Sequence, residues 1–86
     1  MRLCIYSIRD NLTGFLTPVV EQNDSVARRN FEHAIMNPQS LMHSHVSDYD
    51  LYKLGYFDTD SGVVEQAVPI ELIVAGGSIN AKVQSL

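Results

Sequence analysis

The sequence predicts an α+β domain: an antiparallel β-sheet of about four strands, arranged as two hairpins, with one amphipathic helix packed on one face. Three observations lead there. Segments rich in β-branched and aromatic residues, "RLCIYSIR" and "YDLYKLGYF", are each followed by turn residues and a second apolar segment. Between them, "NDSVARRNFEHAIMNP" changes from a period of two to the helical period. The chain has 86 residues, of which 45% are hydrophobic, enough for one small core and too few for a second domain.

Residues 1–22 read as the first hairpin. Asn11 and Gly14 suit its turn, and "FLTPVVEQ" is the returning strand. Pro18 has no N–H for a ladder, so this strand belongs at an edge or carries a bulge. Residues 24–37 form the helix. Ala27, Phe31, Ala34 and Ile35 line one face, Asp24 or Ser25 caps the start, and Pro38 disfavours helical geometry at Asn37. Residues 38–50, rich in Ser, His and Asp, lack a clear period and read as a loop. Residues 51–74 make the second hairpin and its extension, with Gly62 free to take the left-handed turn conformation. After Pro69 either a strand or a helix fits, and the three β-branched residues among Ile70 to Val74 favour a strand. Residues 76–86 are expected to be a loosely held tail.

Alternation in the second hairpin puts Tyr52, Leu54 and Tyr56 on one face and Lys53, Gly55 and Phe57 on the other. The tyrosine face reads as core. In the first strand both faces are apolar, Leu3 and Ile5 on one and Cys4, Tyr6 and Ile8 on the other. One helix covers only one face of a sheet, so the second face requires a partner: another copy of the chain, or unpaired bases stacking on its aromatics.

Six Lys and Arg against ten Asp and Glu give a formal charge of -4, the wrong sign for coating phosphate by bulk electrostatics. A nucleic-acid site must be a segregated patch. The lone Cys4 makes no internal disulfide, the short apolar run of the opening, which carries one basic residue, is interrupted by Arg9 and Asp10 before it could serve as a signal segment, and no apolar run approaches the roughly 18 residues that span a bilayer. A reducing cytoplasm is the expected setting.

Signals for chemistry fail one by one. His43 and His45 stand near Asp48 and Asp50 without a second ligand cluster, so no metal is expected. "DTDSG" starts like a calcium loop, yet Val63 stands where the loop needs glycine and Pro69 where it needs the bidentate acid. No Gly-rich phosphate loop exists, and Asp58 and Asp60 read as turn formers. No enzyme, cofactor or catalytic residue is expected.

"RNFEHAIMNPQS" followed by "SDYDLYKLGYFDTDSG" resembles the small nonstructural protein of gokushovirus-like microviruses, phages with circular single-stranded DNA. The matching positions are Asp10, Arg29, Phe31, Asn37, Pro38, Ser40, Asp48, Tyr49, Leu51, Tyr52, Leu54, Gly55, Phe57, Asp58, Ser61 and Gly62. This chain has "HSHVSDY" where members often carry a Lys-His-Pro segment before the Asp-Tyr pair. The resemblance implies a nonvirion, DNA-binding protein acting during single-stranded genome synthesis in the host bacterial cytoplasm. The residues expected to contact DNA are Arg28 and Arg29, the only adjacent basic pair, with Lys53 and Phe57 on the second hairpin. A homodimer is expected. The first rival expectation is a dimeric adaptor that docks on a phage or host replication protein without touching DNA, and the second is a small metal- or ligand-responsive regulator using His43 and His45.

Overall fold

The computed structural model describes residues 1–79, and its chain order is β1 (Arg2–Asp10), β2 (Gly14–Phe15), β3 (Val19–Glu21), α1 (Asp24–Met36), α2 (Leu41–Ser44), a 3-10 turn (Val46–Asp48), β4 (Tyr49–Asp58) and β5 (Val64–Ala75). One antiparallel sheet holds all five strands. Its order is β2-β1-β4-β5, with β3 also on the outer side of β1. Five strands therefore occupy four lanes, because β2 and β3 are two pieces of one returning strand. The break falls at residues 16–18, where Pro18 lacks a donor, although Leu16 N still bonds back to Ile8 O at 2.8 Å.

The helix begins one residue earlier than its expected caps. Asn23 is the N-cap, its side chain accepting from Val26 N at 2.9 Å, and Asn37 is extended ahead of Pro38. Ala27, Phe31 and Ile35 are buried against Tyr6, Leu51, Tyr49 and Val74 of the sheet. The expected loop at 38–50 is more ordered than its composition suggests. Ser40 caps α2 by accepting from Met42 N at 3.1 Å, the 3-10 turn buries Val46, and β4 starts at Tyr49. Part of the expected tail is also ordered, since residues 76–79 take helical backbone and Ile79 enters the core. The remainder, residues 80–86, lies outside the described residues. The turn before β5 has Gly62 at φ 77, as a left-handed hairpin residue requires.

The largest departure concerns which face is core. Tyr6 is fully buried under α1, and Lys53, its partner across the β1–β4 ladder, is only 8% exposed. The helix thus covers the lysine side, and Tyr52 lies on the open side. The sequence pattern misled because it assumed an unbroken period of two. In β4 a bulge intervenes: Ile5 pairs with Gly55 and Tyr6 with Lys53, leaving Leu54 without a β1 partner. Opposite the same point β5 makes a wider excursion, residues 67–70, between the pairs Gly55/Gln66 and Lys53/Glu71. Beyond the bulge the phase is inverted. Tyr56 joins the Lys53 side, where the Lys53 ammonium stands 5.6 Å from its ring centroid, and Phe57 joins the open side opposite Leu3 and Val64. Tyr52 and Tyr56, expected on one face, are on opposite faces.

At the bulge the two strands leave no room for a side chain at position 55. A Cβ on Gly55 would overlap the Glu65 carbonyl oxygen, backbone that cannot swing aside. Gly55→Ala should therefore destabilise the fold by about 2 kcal/mol or more, as overpacking does, seen as a lower urea midpoint. A variant as stable as the parent would show that the hairpin opens freely there.

Candidate functional site

Residues paired across an antiparallel ladder point to the same side, so the register lists the open face directly. From β1 come Leu3, Ile5, Ser7 and Arg9. Their neighbours are Phe15 and Val20 on the outer lane, Asp50, Tyr52 and Phe57 on β4, and Val64 and Leu72 on β5. An aromatic corner forms at one end. Phe15 and Tyr52 meet edge to face, with ring centroids 5.6 Å apart and an interplanar angle of 72°. The Arg9 guanidinium lies 5.3 Å from the Phe15 centroid, and Ser7, beneath them at 1% exposure, donates to Leu16 O at 2.6 Å. Phe57 lies further along the same face, beside Leu3.

The same register segregates charge. Asp10, Glu21, Asp58, Glu65 and Glu71 pair with Tyr49, Cys4, Arg2, Tyr56 and Lys53, all residues of the helix side. Among the described strand residues, Asp50 is the carboxylate of the open face. Its oxygens accept from Asn11 Nδ2 at 3.1 Å and Gly76 N at 3.2 Å, and Arg9 is its ladder partner. The acidic excess of the chain thus sits behind the sheet, and the open face is apolar, aromatic and close to neutral.

The four residues expected to contact DNA do not converge. Arg28 and Arg29 are on the outer surface of α1, on the far side of the sheet from Phe57, and Arg28 is paired with Glu32 at 3.2 Å. Lys53 belongs to the interior. Its ammonium lies 3.2 Å from an Asp24 oxygen and 3.4 Å from Glu71, and Tyr6 Oη donates to Asp24 at 2.5 Å. Burial pushes the Tyr6 hydroxyl pKa up, and its bond to Asp24 adds to that. The Asp24 carboxyl is held below its ordinary range, first by Tyr6 and then by Lys53. Burial acts to lower the Lys53 pKa, but Asp24 and Glu71 outweigh it and the net shift is upward. Such a lysine holds the fold rather than meeting phosphate. Arg9, Phe15 and Tyr52 take the prominent positions instead. Their signal was present in the hairpin turn between Asn11 and Gly14, which sets Arg9 opposite Phe15, but it needed the register to be read.

His43 and His45 also have local partners. His43 Nδ1 lies 2.8 Å from Ile35 O, and His45 Nδ1 lies 2.8 Å from Ser44 Oγ. Among the described residues no three His, Cys, Asp or Glu side chains gather as metal ligands, and no helix is long and apolar enough to cross a membrane.

Two outcomes follow from the Asp24 network. Asp24→Ala should lower stability by about 1–3 kcal/mol, because it leaves a largely buried ammonium with one partner and the Tyr6 hydroxyl with none, while Lys53→Met, matched in length and apolar, should cost far less. Equal losses in urea unfolding would contradict this account. Since the folded Asp24 carboxyl titrates below its ordinary value of 3.8, its contribution is complete above that value and disappears as pH falls through the folded pKa. The Asp24→Ala variant should accordingly show a shallower fall in melting temperature than the parent below about pH 4.

A family model described as phage ORF5 protein matches residues 3–79, which takes in every described strand and helix save the first residue of β1, and the whole of the open face. No curated protein and no solved structure matches the chain. With nearly the full length matched, the chain belongs to the phage ORF5 protein family.

Proposed function

We propose that this phage protein is non-enzymatic and binds single-stranded DNA across its open sheet face during viral genome synthesis in the host cytoplasm. The observation that carries the reading is the joint placement of Arg9, Phe15 and Tyr52 on a face where, among the described strand residues, Asp50 is the one carboxylate and is hydrogen-bonded. Bases stack on aromatic side chains with little sequence preference, and an arginine beside them serves phosphate or a base plane equally well. Phe57 extends the platform along the strand. Keeping the other strand carboxylates off this face weakens the objection posed by a net charge of -4, and Arg9 is the cation the face offers to phosphate. The resemblance to the nonstructural protein of gokushovirus-like microviruses supports the same reading.

A second reading keeps the face and changes its occupant. Phe15, Val20 and Leu72 are 43%, 45% and 51% exposed, a surface that also suits a second copy or a replication protein, as in a dimeric adaptor.

Fluorescence anisotropy with labelled oligo-dT at low salt separates the two. Phe15→Ala and Tyr52→Ala should each weaken binding by about 1–3 kcal/mol, the usual range for one stacked base, with Phe57→Ala in the same range if the strand runs the full platform. Arg9→Glu should weaken binding to every sequence and flatten the salt dependence by about one phosphate contact. Arg28→Glu with Arg29→Glu, behind the sheet, should change affinity much less. Absence of retention at low salt sinks the DNA reading. Light scattering that then reports a dimer, dissociated by Leu72→Ser, leaves the adaptor as the working model.

A further inference from the structure

The opposite side of the sheet carries a second feature, independent of the open face. Between α1 and the β3 edge lies a groove of about 360 Å3 with a floor of Ile8, Ala27, Phe31 and Leu51 and an outer wall of Thr17 and Val19. Its rim is polar: Glu21 accepts a hydrogen bond from the side-chain amide of Asn30. Among the described residues β3 pairs only with β1, so its outer edge is free to take another strand. The edge is interrupted just before β3 at Pro18, which limits an added strand to a short segment. Val19 and Glu21 are two residues apart and share the helix side, since they pair with Tyr6 and Cys4. Any strand added here therefore presents alternate side chains first to the groove and then to the Glu21 carboxylate.

We propose that the β3 edge and this groove dock an extended segment of a basic partner protein. An apolar residue of the segment seats in the groove beside Val19, and a Lys or Arg two positions away pairs with Glu21. Charge selects the occupant. On this side of the sheet the carboxylates Asp10, Glu21, Asp24, Glu32, Asp58, Glu65 and Glu71 outnumber the cations Arg2, Arg28, Arg29 and Lys53, and Glu21, bonded to the neutral Asn30 amide, is the charged residue of the groove itself. A second copy brings the same negative charge and an acidic segment would be repelled, whereas a basic segment gains in both encounter rate and fit. The protein thereby presents two distinct surfaces, one on each side of a single sheet.

The test uses the full chain and a fluorescein-labelled peptide of alternating Lys and Arg around one central Phe. Comparison peptides carry Ser at the centre, or Glu and Asp in place of the basic residues. The Phe peptide should bind saturably, the Ser peptide about tenfold or more weaker, and the acidic peptide not at all. Thr17→Trp, which fills the groove mouth from an exposed position, and Glu21→Lys should each reduce affinity for the Phe peptide by about tenfold. Amide NMR shifts should concentrate at Val19, Glu21, Asn30 and Phe31. Circular dichroism should be unchanged in both variants, and so should their oligo-dT retention. Equal binding of the Phe and Ser peptides, shifts centred on Phe15 and Tyr52, or no saturable binding would overturn the proposal. Those results leave the reading of the open face untouched, because that reading is measured with DNA and with different residues.

Discussion

Asp24, at the first turn of α1, reaches two central strands at once: it accepts from Tyr6 Oη on β1 and pairs with the Lys53 ammonium on β4. Much of the architecture depends on that contact. A carboxylate is favoured at a helix N-terminus, where backbone N–H groups point outward, so the helix start and the sheet interior share one anion. Because Tyr6 and Lys53 are ladder partners, holding them both to Asp24 decides which face of the sheet the helix closes. Ala27, Phe31 and Ile35 then complete a core whose sheet floor is Tyr6, Leu51 and Val74. Glu71 closes the network from β5, which ties the outermost long strand to the same point.

Closing that face leaves the other open, and the bulge in β4 determines what the open face displays. Without the bulge, with Leu54 taking an ordinary place in the alternation, Phe57 would follow Lys53 to the helix side and Tyr56 would follow Tyr52 outward. With it, Phe57 shares the face of Tyr52 and Phe15, and Tyr56 turns back toward Arg2, whose guanidinium lies 3.9 Å from its ring centroid. The excursion in β5 and the glycine at position 55 are the local means of this inversion: the strands come too close there for any side chain. Charge follows the same division. With the strand carboxylates behind the sheet and Asp50 bonded to Asn11 and Gly76, the acidic excess of the chain is kept off the open face.

The family assignment bears on the functional reading through extent. Residues 3–79 include the hairpin that places Arg9 against Phe15, the helix that closes the core and the bulged hairpin that turns Phe57 outward. The matched region thus takes in the strands and the helix that form both faces.

Read alone, the sequence determined the elements whose causes are local. Pro18 signalled the broken edge strand, Pro38 the helix stop, Gly62 the left-handed turn, and the spacing of Ala27, Phe31 and Ile35 the buried helical face; each depends on the steric limits of a single residue or on a repeat within one element. Some local order still escaped, because Ser40 as a cap and Val46 as a buried anchor carry weak signals amid polar neighbours. The side of the sheet that becomes core was not legible. Both faces of β1 are apolar, so hydrophobicity offered no preference, and the choice came from Asp24 meeting Tyr6 and Lys53 across 18 and 29 residues of chain. The candidate site followed that choice. Lys53 has the same composition-level signature whether it meets a phosphate or a buried carboxylate, and Phe57 changes face with one bulged residue, because side-chain direction in a strand is set by parity and parity is set by the partner strands.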